Sequence, residues 1–449
     1  MYDPLLLPEL REMMLENDEP GMHEFCEVLH PAQVAENLEE LTNDEIWRVL
    51  GHAGQAKRVE VFEFISLPRQ MELVGTVDDA RLSALIEHMA PDDRVDLLKK
   101  LGEAHVERLM PLIAAAERQD IRKLLSYPEH SAGSILTTEY ATVSETATVG
   151  EAIQQLRAQA PDRETIYYLY VVDDERHLRG LISLRKLILA RVDTPVSQII
   201  ERDVISVRVD DDQEQVAQTI ARYDFIALPV VDDQNRLVGI ITHDDALDVM
   251  QQEATEDVHR MGAVGTLEQS YLTTPFFTLA WKRGVWLVVL FGAAFVTSSI
   301  LSSYQDLSAM YPWIVAFIPL VIASGGNAGS QSATLVIRTL ALGEARADNW
   351  HYIAWREARM GLLLGLGLGA IGFLPAMILT RWHGAIVVSG TVVMVVTLGT
   401  LIGSLLPMLF KRLGMDPALM SNPLIAALSD FTGIILYYSL VVIVLGRQG

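Results

Sequence analysis

Five long stretches in the second half of the chain are almost free of charged side chains. They cover residues 284–305, 307–337, 360–380, 382–410 and 417–446. Among Asp, Glu, Lys, Arg and His residues, these stretches contain only His383 and Asp430. Each stretch reaches the roughly 20 residues that an α-helix needs to cross the hydrocarbon core of a bilayer. The pattern therefore predicts five transmembrane helices. Pro312, Pro319 and Gly325-Gly326 lie in the second stretch, so we expect that helix to be kinked or tilted.

The charges in the short connections predict the orientation of these helices. With a cytosolic N-terminus, eight Lys and Arg side chains, Arg346 among them, flank the helices on the inside, and only Arg381 and Arg447 flank them on the outside. This asymmetry follows the positive-inside rule. It predicts a multi-pass protein of the inner (plasma) membrane with its N-terminus in the cytosol and its C-terminus outside. The first residues lack the basic and apolar regions of a signal peptide.

The first 270 residues have a different charge balance from the rest of the chain. They contain 52 acidic and 25 basic residues, a net charge of −27, whereas the remainder carries +4. Such a negative charge excludes a nucleic-acid binder that works through basic patches. Cys26 is the single cysteine, which excludes an internal disulfide framework and a cysteine-based zinc cluster.

Residues 131–255 contain an internal repeat with an offset of 59 residues. Residues 171–182 and 230–241 share an apolar run, two aspartates and a Leu-x-Gly-x-Ile ending. Each copy predicts a strand, an acidic turn, a second strand and a helix, with another helix ahead of them. Two such β-α-β-β-α units resemble a tandem pair of CBS domains, 131–194 and 195–255. CBS domains are regulatory modules that often hold adenine nucleotides.

One copy of the repeat keeps a nucleotide signature. Thr242 and Asp245 resemble the CBS residues that contact phosphate and ribose, respectively, whereas the first copy has Lys186 where an acid is expected. The resemblance implies that ATP or another adenine nucleotide binds at no more than one site per chain, at Thr242 and Asp245. The alternative is a pair of domains that contact each other and hold no ligand.

The remaining parts of the first half are predicted to be helical. The pattern of residues 38–50 recurs 48 residues later, at 86–98, with a short helix, a turn and an acid-rich first turn of the next helix. This repeat predicts a small helical solenoid for residues 1–130. Residues 256–280 are predicted to form a connecting helix that leads into a membrane domain at 281–449.

Asp430 lies deep in the fifth apolar stretch, where a carboxylate is costly and normally faces a bundle interior or water. It indicates a cation site or a proton relay, although a protonated Asp that bonds between helices is the structural alternative. Asn422, eight residues earlier, falls close to the same helix face. Asn327 and Gln331 belong to a small, amide-rich segment of the second stretch. Such segments often serve only helix packing, but beside one acid they predict a water-lined cation path.

The order of these parts resembles the MgtE family of magnesium channels from end to end. The most specific matches are residues 319–332 and 422–430. The resemblance implies a multidomain fold with an all-α solenoid, an α/β CBS pair and a polytopic α-helical membrane domain. It also implies a homodimer in which both copies of the second and fifth spans line one pore. Asp430 of each subunit would bind Mg²⁺, with Asn327 and Asn422 near the cytosolic constriction.

The resemblance further implies that Mg²⁺ bridges acidic residues between the cytosolic domains and thereby closes the pore. The candidate acids are Asp92, Asp93, Asp96, Asp212, Glu214, Asp224, Asp245, Asp248, Glu253, Glu256, Asp257 and Asp416. The predicted activity is passive Mg²⁺ uptake driven by the membrane potential, since no ATP-hydrolysing motif is present. The alternative is a divalent-cation exchanger coupled to protons or sodium. No catalytic motif is found, so we expect no enzyme.

Overall fold

The computed structural model describes residues 6–267, 271–272, 274–345 and 347–445. Arg346, Arg447 and the C-terminal end, which enter the orientation prediction, lie outside the described residues. The chain divides into two compact units, Met1–Gln251 and Gln252–Gly449. Each unit has apolar cores of its own.

Ten short helices form the first part of the N-terminal unit, as the sequence predicts. They are α1 (Leu6–Glu16), α2 (Glu19–Val28), α3 (Pro31–Leu38), α4 (Asn43–His52), α5 (Gln55–Glu63), α6 (Leu67–Val74), α7 (Asp79–His88), α8 (Pro91–Leu101), α9 (Glu103–Leu109) and α10 (Ala115–Leu125). Their apolar side chains, such as Leu10, Phe62 and Leu98, are buried in one continuous core. No single helix here is long enough to be stable alone, so stacking of neighbours supplies most of the stability.

Four of these helices are capped by a glutamate that lies 27 residues earlier in the chain. Helices α5, α6, α8 and α10 begin at residues that form no side-chain cap of their own. The backbone N–H groups that donate to glutamate carboxylates are Gly54 to Glu27 (2.8 Å), Ser66 to Glu39 (3.2 Å), Ala90 to Glu63 (2.8 Å) and Ala114 to Glu87 (2.7 Å). A carboxylate at a helix N-terminus contributes about 0.3–1 kcal/mol. The constant spacing shows that successive helices stack with one repeated geometry, which is that of a solenoid.

The predicted repeat is confirmed as two β-α-β-β-α units. The first comprises β1 (Tyr140–Ser144), α11 (Val149–Gln159), β2 (Thr165–Val172), β3 (Leu178–Ser183) and α12 (Leu184–Leu189). After α13 (Val196–Ile199), the second comprises β4 (Val207–Arg208), α14 (Gln213–Tyr223), β5 (Ala227–Val231), β6 (Leu237–Thr242) and α15 (His243–Met261). In each sheet the first two strands are parallel and the last two antiparallel.

The two copies join through their acidic turns. Leu178 N–H donates to the carbonyl of Asn235 at 3.1 Å, and Leu237 N–H donates to the carbonyl of Arg176 at 2.9 Å. Both bonds connect residues at equivalent places of the repeat, so the two copies are related by a local two-fold pseudosymmetry.

The predicted connecting helix at residues 256–280 is wrong. Helix α15 runs from His243 to Met261, across the predicted boundary at 255, and the next helix begins only at Phe276. Gly262 follows the last helical residue, and Ala263 has a left-handed backbone with φ of 55°. Glycine ends helices readily and Pro275 precedes the next one, so the described residues between them are extended or turned. Residues 268–270 and 273 of this segment lie outside the described residues.

The second unit consists mainly of long apolar helices. They are α16 (Phe276–Ser302), the short α17 (Gln305–Met310), α18 (Trp313–Ala341), α19 (Trp350–Arg412) and α20 (Asn422–Leu445). In the described residues, four of these helices, all but α17, are long and apolar enough to cross a membrane. The second predicted stretch is thus divided at Tyr311-Pro312, whereas Pro319 lies inside α18.

Helix α19 consists of two antiparallel arms. The backbone of Arg381 (φ 64°, ψ −176°) is not helical and separates residues 350–380 from residues 382–412. A Cβ added to Gly365 would lie 2.9 Å from the Cα of Val393, and one added to Gly369 would lie 3.1 Å from the carbonyl oxygen of Ser389. Because small residues recur every fourth position, the backbones of the two arms can lie in direct contact.

Candidate ion-binding sites

Asp430 lies half-buried on α20 and lines a cavity of about 330 Å³ between α20 and α16. The other lining residues are Leu290, Ala294, Thr297, Pro423, Ala426 and Ala427. The carboxylate is thus the one charged group on an otherwise mostly apolar wall. At membrane depth, a carboxylate in this position is stabilised by water, a cation or both. The cavity has room for several water molecules.

Helix α18 packs antiparallel on α20 and surrounds Asp430 with small and polar groups. A Cβ added to Gly326 would lie 3.5 Å from Oδ1 of Asp430, an ordinary van der Waals distance, so Gly326 lies directly beside the carboxylate. Towards the other end of the contact, Ser330 Oγ donates to the carbonyl of Asn422 at 3.2 Å, and Thr334 Oγ1 donates to Oδ1 of Asn422 at 3.3 Å. Asn422 and Asp430 are separated by about 12 Å along α20.

Asn327 and Gln331 are exposed on α18, one helical turn apart on the same face. The buried side of α18 at this level carries Ala328, Gly329 and Ser332 instead. The two amides therefore point away from the core of this chain. Exposed amides are unfavourable against lipid, so this face requires water or another polar surface.

Sequence reasoning missed a second carboxylate in the helix bundle. Glu357 accepts a hydrogen bond from Ser332 Oγ, whose hydroxyl also lies 3.0 Å from the carbonyl of Thr400. Thr400 Oγ1 in turn lies 3.1 Å from the carbonyl of Glu357. The sequence places Glu357 just before the third apolar stretch, next to two arginines. The signal that identifies it is its four-residue spacing from Gly361 and Gly365, which puts it on the packed face of α19.

In the N-terminal unit, the structure brings Asp92 of α8 together with Asp245 of α15. The two carboxyl groups lie close enough that each affects the pKa of the other. In the described part of the chain, Oδ1 of Asp92 is buried and has no hydrogen-bond partner, while Thr242 Oγ1 donates to Asp245. Two carboxylates that lie close together repel each other, so this contact is relieved by a proton or a cation.

The pKa values of this acidic contact are raised. Burial, followed by the charge of Asp245, raises the pKa of Asp92 well above its ordinary value. Desolvation and the charges of Glu63 and Asp245 raise the pKa of Asp93 to about 8. Desolvation is also the main cause for Glu63 and Glu164, whose pKa values are raised to about 7. Glu63 and Glu164 were not among the predicted acids.

These shifts predict that the acidic contact weakens as the pH rises in the absence of divalent ions. A carboxyl whose pKa is raised in the compact state stabilises that state below its ordinary pKa, and this stabilisation is lost as the pH rises to the raised value. For Asp93 the window extends from about 4 to about 8. In EDTA, we therefore expect the melting temperature of the N-terminal unit to fall between pH 6 and pH 8.5. Circular dichroism measures this change.

The variant Asp93→Asn is the control for this pH dependence. It removes one of the titrating groups, so its melting temperature should change less over the same pH range. Millimolar Mg²⁺ should also flatten the dependence, because a bound cation replaces the proton. An equal pH dependence in the wild type and in Asp93→Asn would contradict the assignment.

The other predicted acids of the N-terminal unit differ from one another in their structural roles. Asp212 is the N-cap of α14 and accepts from Glu214 N–H at 2.9 Å. Asp224 ends that helix with a left-handed backbone, φ of 54°. Desolvation raises the pKa of both Asp96 and Asp248. Asp212 and Asp224 are accounted for by their positions at the two ends of α14. Asp96 and Asp248 have raised pKa values, as do the residues of the acidic contact.

In the second unit, Arg260 joins two of the four predicted acids. Its guanidinium contacts the carboxylates of both Glu256 and Asp416. Burial, followed by the charge of Glu253, raises the pKa of Asp257. Arg260 carries no signal in the sequence, because its partner Asp416, in the loop before α20, is far away along the chain.

No group of three His, Cys, Asp or Glu side chains in the described residues is arranged to hold a metal ion by itself. Oxygen ligands nevertheless suit Mg²⁺, which keeps several waters and is usually bound through one or two carboxylates. The carboxylates at Asp430 and at the Asp92–Asp245 contact therefore fit a hydrated ion better than a dehydrated one. The candidate nucleotide residue Asp245 is already bonded to Thr242 and lies beside Asp92.

The family models that match the chain together cover most of its length. Residues 29–130 match the MgtE intracellular N domain, residues 132–193 and 196–252 match CBS domains, and residues 318–440 match a family described as divalent cation transporter. These ranges coincide with the solenoid, the two β-α-β-β-α units and the helices α18 to α20.

Several curated relatives are named magnesium transporter MgtE. The Thermus thermophilus protein is 40% identical over 439 residues, 97% of both chains. The Enterococcus faecalis protein is 40% identical over 72% of this chain and 71% of its own, and the Bacillus subtilis protein is 32% identical over 83% of each.

Two solved structures resemble the N-terminal part of the chain. The soluble part of a magnesium transporter is 34% identical, with a TM-score of 0.53, covering 55% of this chain and 98% of that one. The cytosolic domain of the Mg²⁺ channel MgtE in complex with ATP is 40% identical, with a TM-score of 0.52, covering 54% and 99%. With a full-length relative at this identity, and with all of its domains matched in order, the chain belongs to the MgtE family of magnesium transporters.

Proposed function

We propose that this chain is a magnesium-selective channel that carries Mg²⁺ passively into the cell. The observation that carries this proposal is the Asp430 carboxylate on the wall of the cavity between α16 and α20, beside the polar contact of α18 with α20. A hydrated Mg²⁺ needs a charge and hydrogen-bond acceptors rather than a tight cage. The membrane potential supplies the driving force, about 4.6 kcal/mol per 100 mV for a divalent ion.

The proposed assembly is a homodimer with five spans per subunit in the plasma membrane, N-terminus in the cytosol and C-terminus outside. The two arms of α19 count as the third and fourth spans. No side chain of α16 is buried within the single chain, although α16 is apolar throughout. The exposed amides Asn327 and Gln331 also require a polar environment. A second copy that faces the first across a water-filled pore would provide it.

The proposed regulation uses Mg²⁺ itself as the closing signal. The Asp92–Asp245 contact places like charges together, and the unpartnered oxygen of Asp92 offers a lone pair to a cation. Mg²⁺ bound at this contact would hold α8 against α15. Low cytosolic Mg²⁺ would leave the carboxylates to repel each other, which favours an open channel.

We expect millimolar Mg²⁺ to make residues 1–260 more resistant to limited proteolysis. The physical reason is relief of repulsion within a region that carries a net charge of −27 at residues 1–270. Fragment patterns with Mg²⁺ and with EDTA measure the change. The variant Asp92→Asn with Asp245→Asn should be protected already in EDTA. Identical digestion of the wild type in both conditions would rule out the sensor and leave the channel untouched.

The nucleotide ligand of this proposal is ATP, at no more than one site per chain. The support is the related cytosolic domain that was solved in complex with ATP. In this chain Lys186 Nζ lies 3.2 Å from Glu201, and no carboxylate stands at that position of the first copy. In the second copy, a nucleotide that engages Asp245 would have to replace its contact with Asp92. Calorimetry with ATP on the full-length protein tests this, and two equivalent sites would contradict it.

Flux into liposomes that contain only this protein tests the channel. With an imposed potential, inside negative, and no proton or sodium gradient, Mg²⁺ should enter. Reversing the potential should reverse the direction of flux. Absence of flux under these conditions, from protein shown to be folded and inserted, would overturn the proposal.

The position of Glu357 supports a second candidate function, a divalent-cation exchanger coupled to protons or sodium. An exchanger needs a further titratable group among the spans, and Glu357 lies against Ser332 and Thr400 of the bundle. The same liposomes separate the two functions. Uptake that requires a proton or sodium gradient, and does not respond to potential alone, would favour exchange.

A further inference from the structure

The end of α15 is fastened to the connection between α19 and α20 by one arginine. The guanidinium of Arg260 contacts Oε1 of Glu256 through Nη2 and Oδ2 of Asp416 through Nη1. The side chains of Arg260, Glu256 and Asp416 are 32%, 18% and 28% exposed, so the contact is largely shielded from solvent. Screening by water and salt is weaker at such a site than on an open surface.

Both carboxylates are also held in place by other groups. The second oxygen of Asp416 accepts from the N–H of Ala418 at 2.7 Å, at the start of the 3₁₀ turn Pro417–Leu419. Glu256 accepts from Thr266 Oγ1 at 3.1 Å. Because each carboxylate has a fixed orientation, the planar fork of Arg260 meets two preorganised acceptors.

The same segment is anchored by apolar and backbone contacts. Met261 packs against the buried cluster that includes Ala333, Ile337 and Met420. Gly265 N–H donates to the carbonyl of Lys282, near the start of α16, at 3.1 Å. The end of α15 and the residues that follow it are therefore joined to α18, to the α19–α20 connection and to α16, with Arg260 making the ion pairs.

Apart from Arg260, the side chains named at this docking site are mostly negative, and Arg338 of α18 is a second cation whose charge acts on Asp257. Glu253, Glu256 and Asp257 lie on the last turns of α15, and the repulsion from Glu253 contributes to the raised pKa of Asp257. Asp416 adds a fourth carboxylate from the opposite side. Carboxylates that lie close together repel one another and oppose docking unless a cation lies between them.

We propose that Arg260 is a built-in counter-ion that holds the end of α15 on the α19–α20 connection when Mg²⁺ is absent. This inference rests on the proposed function, and in it opening at low Mg²⁺ begins at the Asp92–Asp245 contact while the end of α15 stays docked. Arg260 keeps its charge at every physiological pH. It therefore supplies a docked population that does not depend on Mg²⁺, and it occupies carboxylate oxygens that the sequence analysis assigned to regulatory Mg²⁺. Where Arg260 is absent, Mg²⁺ would take its place among the acids of this segment.

Hydrogen–deuterium exchange of the full-length protein in lipid nanodiscs tests the proposal without ion flux. In EDTA, the wild-type amides of residues 262–267 should exchange within about twofold of their rate in millimolar Mg²⁺. Arg260→Gln should accelerate their exchange about tenfold or more in EDTA, as loss of a shielded charge pair implies. Millimolar Mg²⁺ should return the variant to the wild-type rate, because the ion replaces the lost charge.

The control is Arg412→Gln, which removes an exposed arginine from the same cytosolic end of α19. It should leave the exchange of residues 262–267 unchanged. The proposal is overturned if Arg260→Gln exchanges like the wild type in EDTA, if Arg412→Gln has the same effect, or if Mg²⁺ does not restore protection.

A double-mutant cycle separates a charge contact from a general loss of structure. Asp416→Asn keeps an oxygen for the N–H of Ala418 but loses the ion pair with Arg260. If the two residues act through each other, the double variant exchanges within about twofold of either single variant in EDTA. If the two substitutions instead act independently, so that the double variant shows the product of their separate fold-changes in exchange rate, the proposal is overturned. Since none of these measurements needs transport, their failure counts against Arg260, whereas absence of Mg²⁺ flux counts against the channel.

Discussion

Asp430→Asn is expected to reduce Mg²⁺ conduction by at least about tenfold, a change of about 1.4 kcal/mol in the barrier. The substitution nearly preserves the size of the side chain and keeps an oxygen on the cavity wall. It removes the charge that offsets partial loss of the ion's water shell, and in a dimer it removes that charge twice. Expression and dimerisation should remain close to those of the wild type. Potential-driven Mg²⁺ flux into liposomes measures the effect.

Two further variants make this prediction specific. Asp430→Glu keeps the charge but narrows the cavity, so partial conduction with altered ion selectivity is expected. Asp306→Asn removes another acid of the second unit, one that is exposed on the short helix α17, and should conduct almost normally. Wild-type conduction by a well-folded Asp430→Asn would show that this carboxylate is not the ion site.

Gly403→Ala is expected to be the most destabilising small substitution in the membrane unit. A Cβ at Gly403 would overlap the carbonyl oxygen of Gly329, and one at Gly399 would lie 2.5 Å from the carbonyl oxygen of Gly325. Both obstacles are helix backbone, so no side chain can rotate away. The second arm of α19 would have to separate from α18. Overpacking of this kind costs about 1–3 kcal/mol or more.

Thermal unfolding of the detergent-purified protein measures this cost, and Gly367→Ala is the matched control. Gly367 lies in the first arm of α19 with nothing within 4 Å of an added Cβ. Alanine favours a helix over glycine, so this control should melt at or slightly above the wild-type temperature. If Gly403→Ala had the same melting temperature as Gly367→Ala, the close approach of α18 and α19 would be contradicted. The variant should also conduct poorly, because α18 carries Asn327 and Gln331.

The predicted helical N-terminal part, the CBS repeat and the apolar helical C-terminal region are confirmed, because they depend on local or periodic properties of the chain. Long uncharged runs indicate membrane helices from length and composition alone. An offset of 59 residues is visible without knowing how strands pair. Asp430 could be chosen because one carboxylate in an apolar run has a high cost wherever the helix lies. The roles of Asp430, Asn327, Gln331 and Asn422 in ion conduction remain predictions.

Helix boundaries were less predictable where apolar composition continued past a break. The break at Tyr311-Pro312 lies inside the second uncharged stretch and was not predicted as a helix boundary. The break at Arg381, by contrast, was predicted, because this charged residue separates the third and fourth stretches. The predicted connecting helix was wrong because residues that end helices were not taken into account. Residues after Met261 looked compatible with a helix, but Gly262, Gly265 and Pro275 lead the chain into a turned segment.

What the sequence determined by itself, then, was the set of elements and their character: a helical acidic solenoid, two β-α-β-β-α units and an apolar helical domain with one deep carboxylate. Only the tertiary structure decided which charges meet. Asp92 reaches Asp245, Glu256 reaches Asp416 through Arg260, and Glu357 reaches Ser332. Hydrophobic periodicity reports which face of an element is buried, but a contact between distant carboxylates depends on how whole elements dock, and no local pattern encodes that geometry.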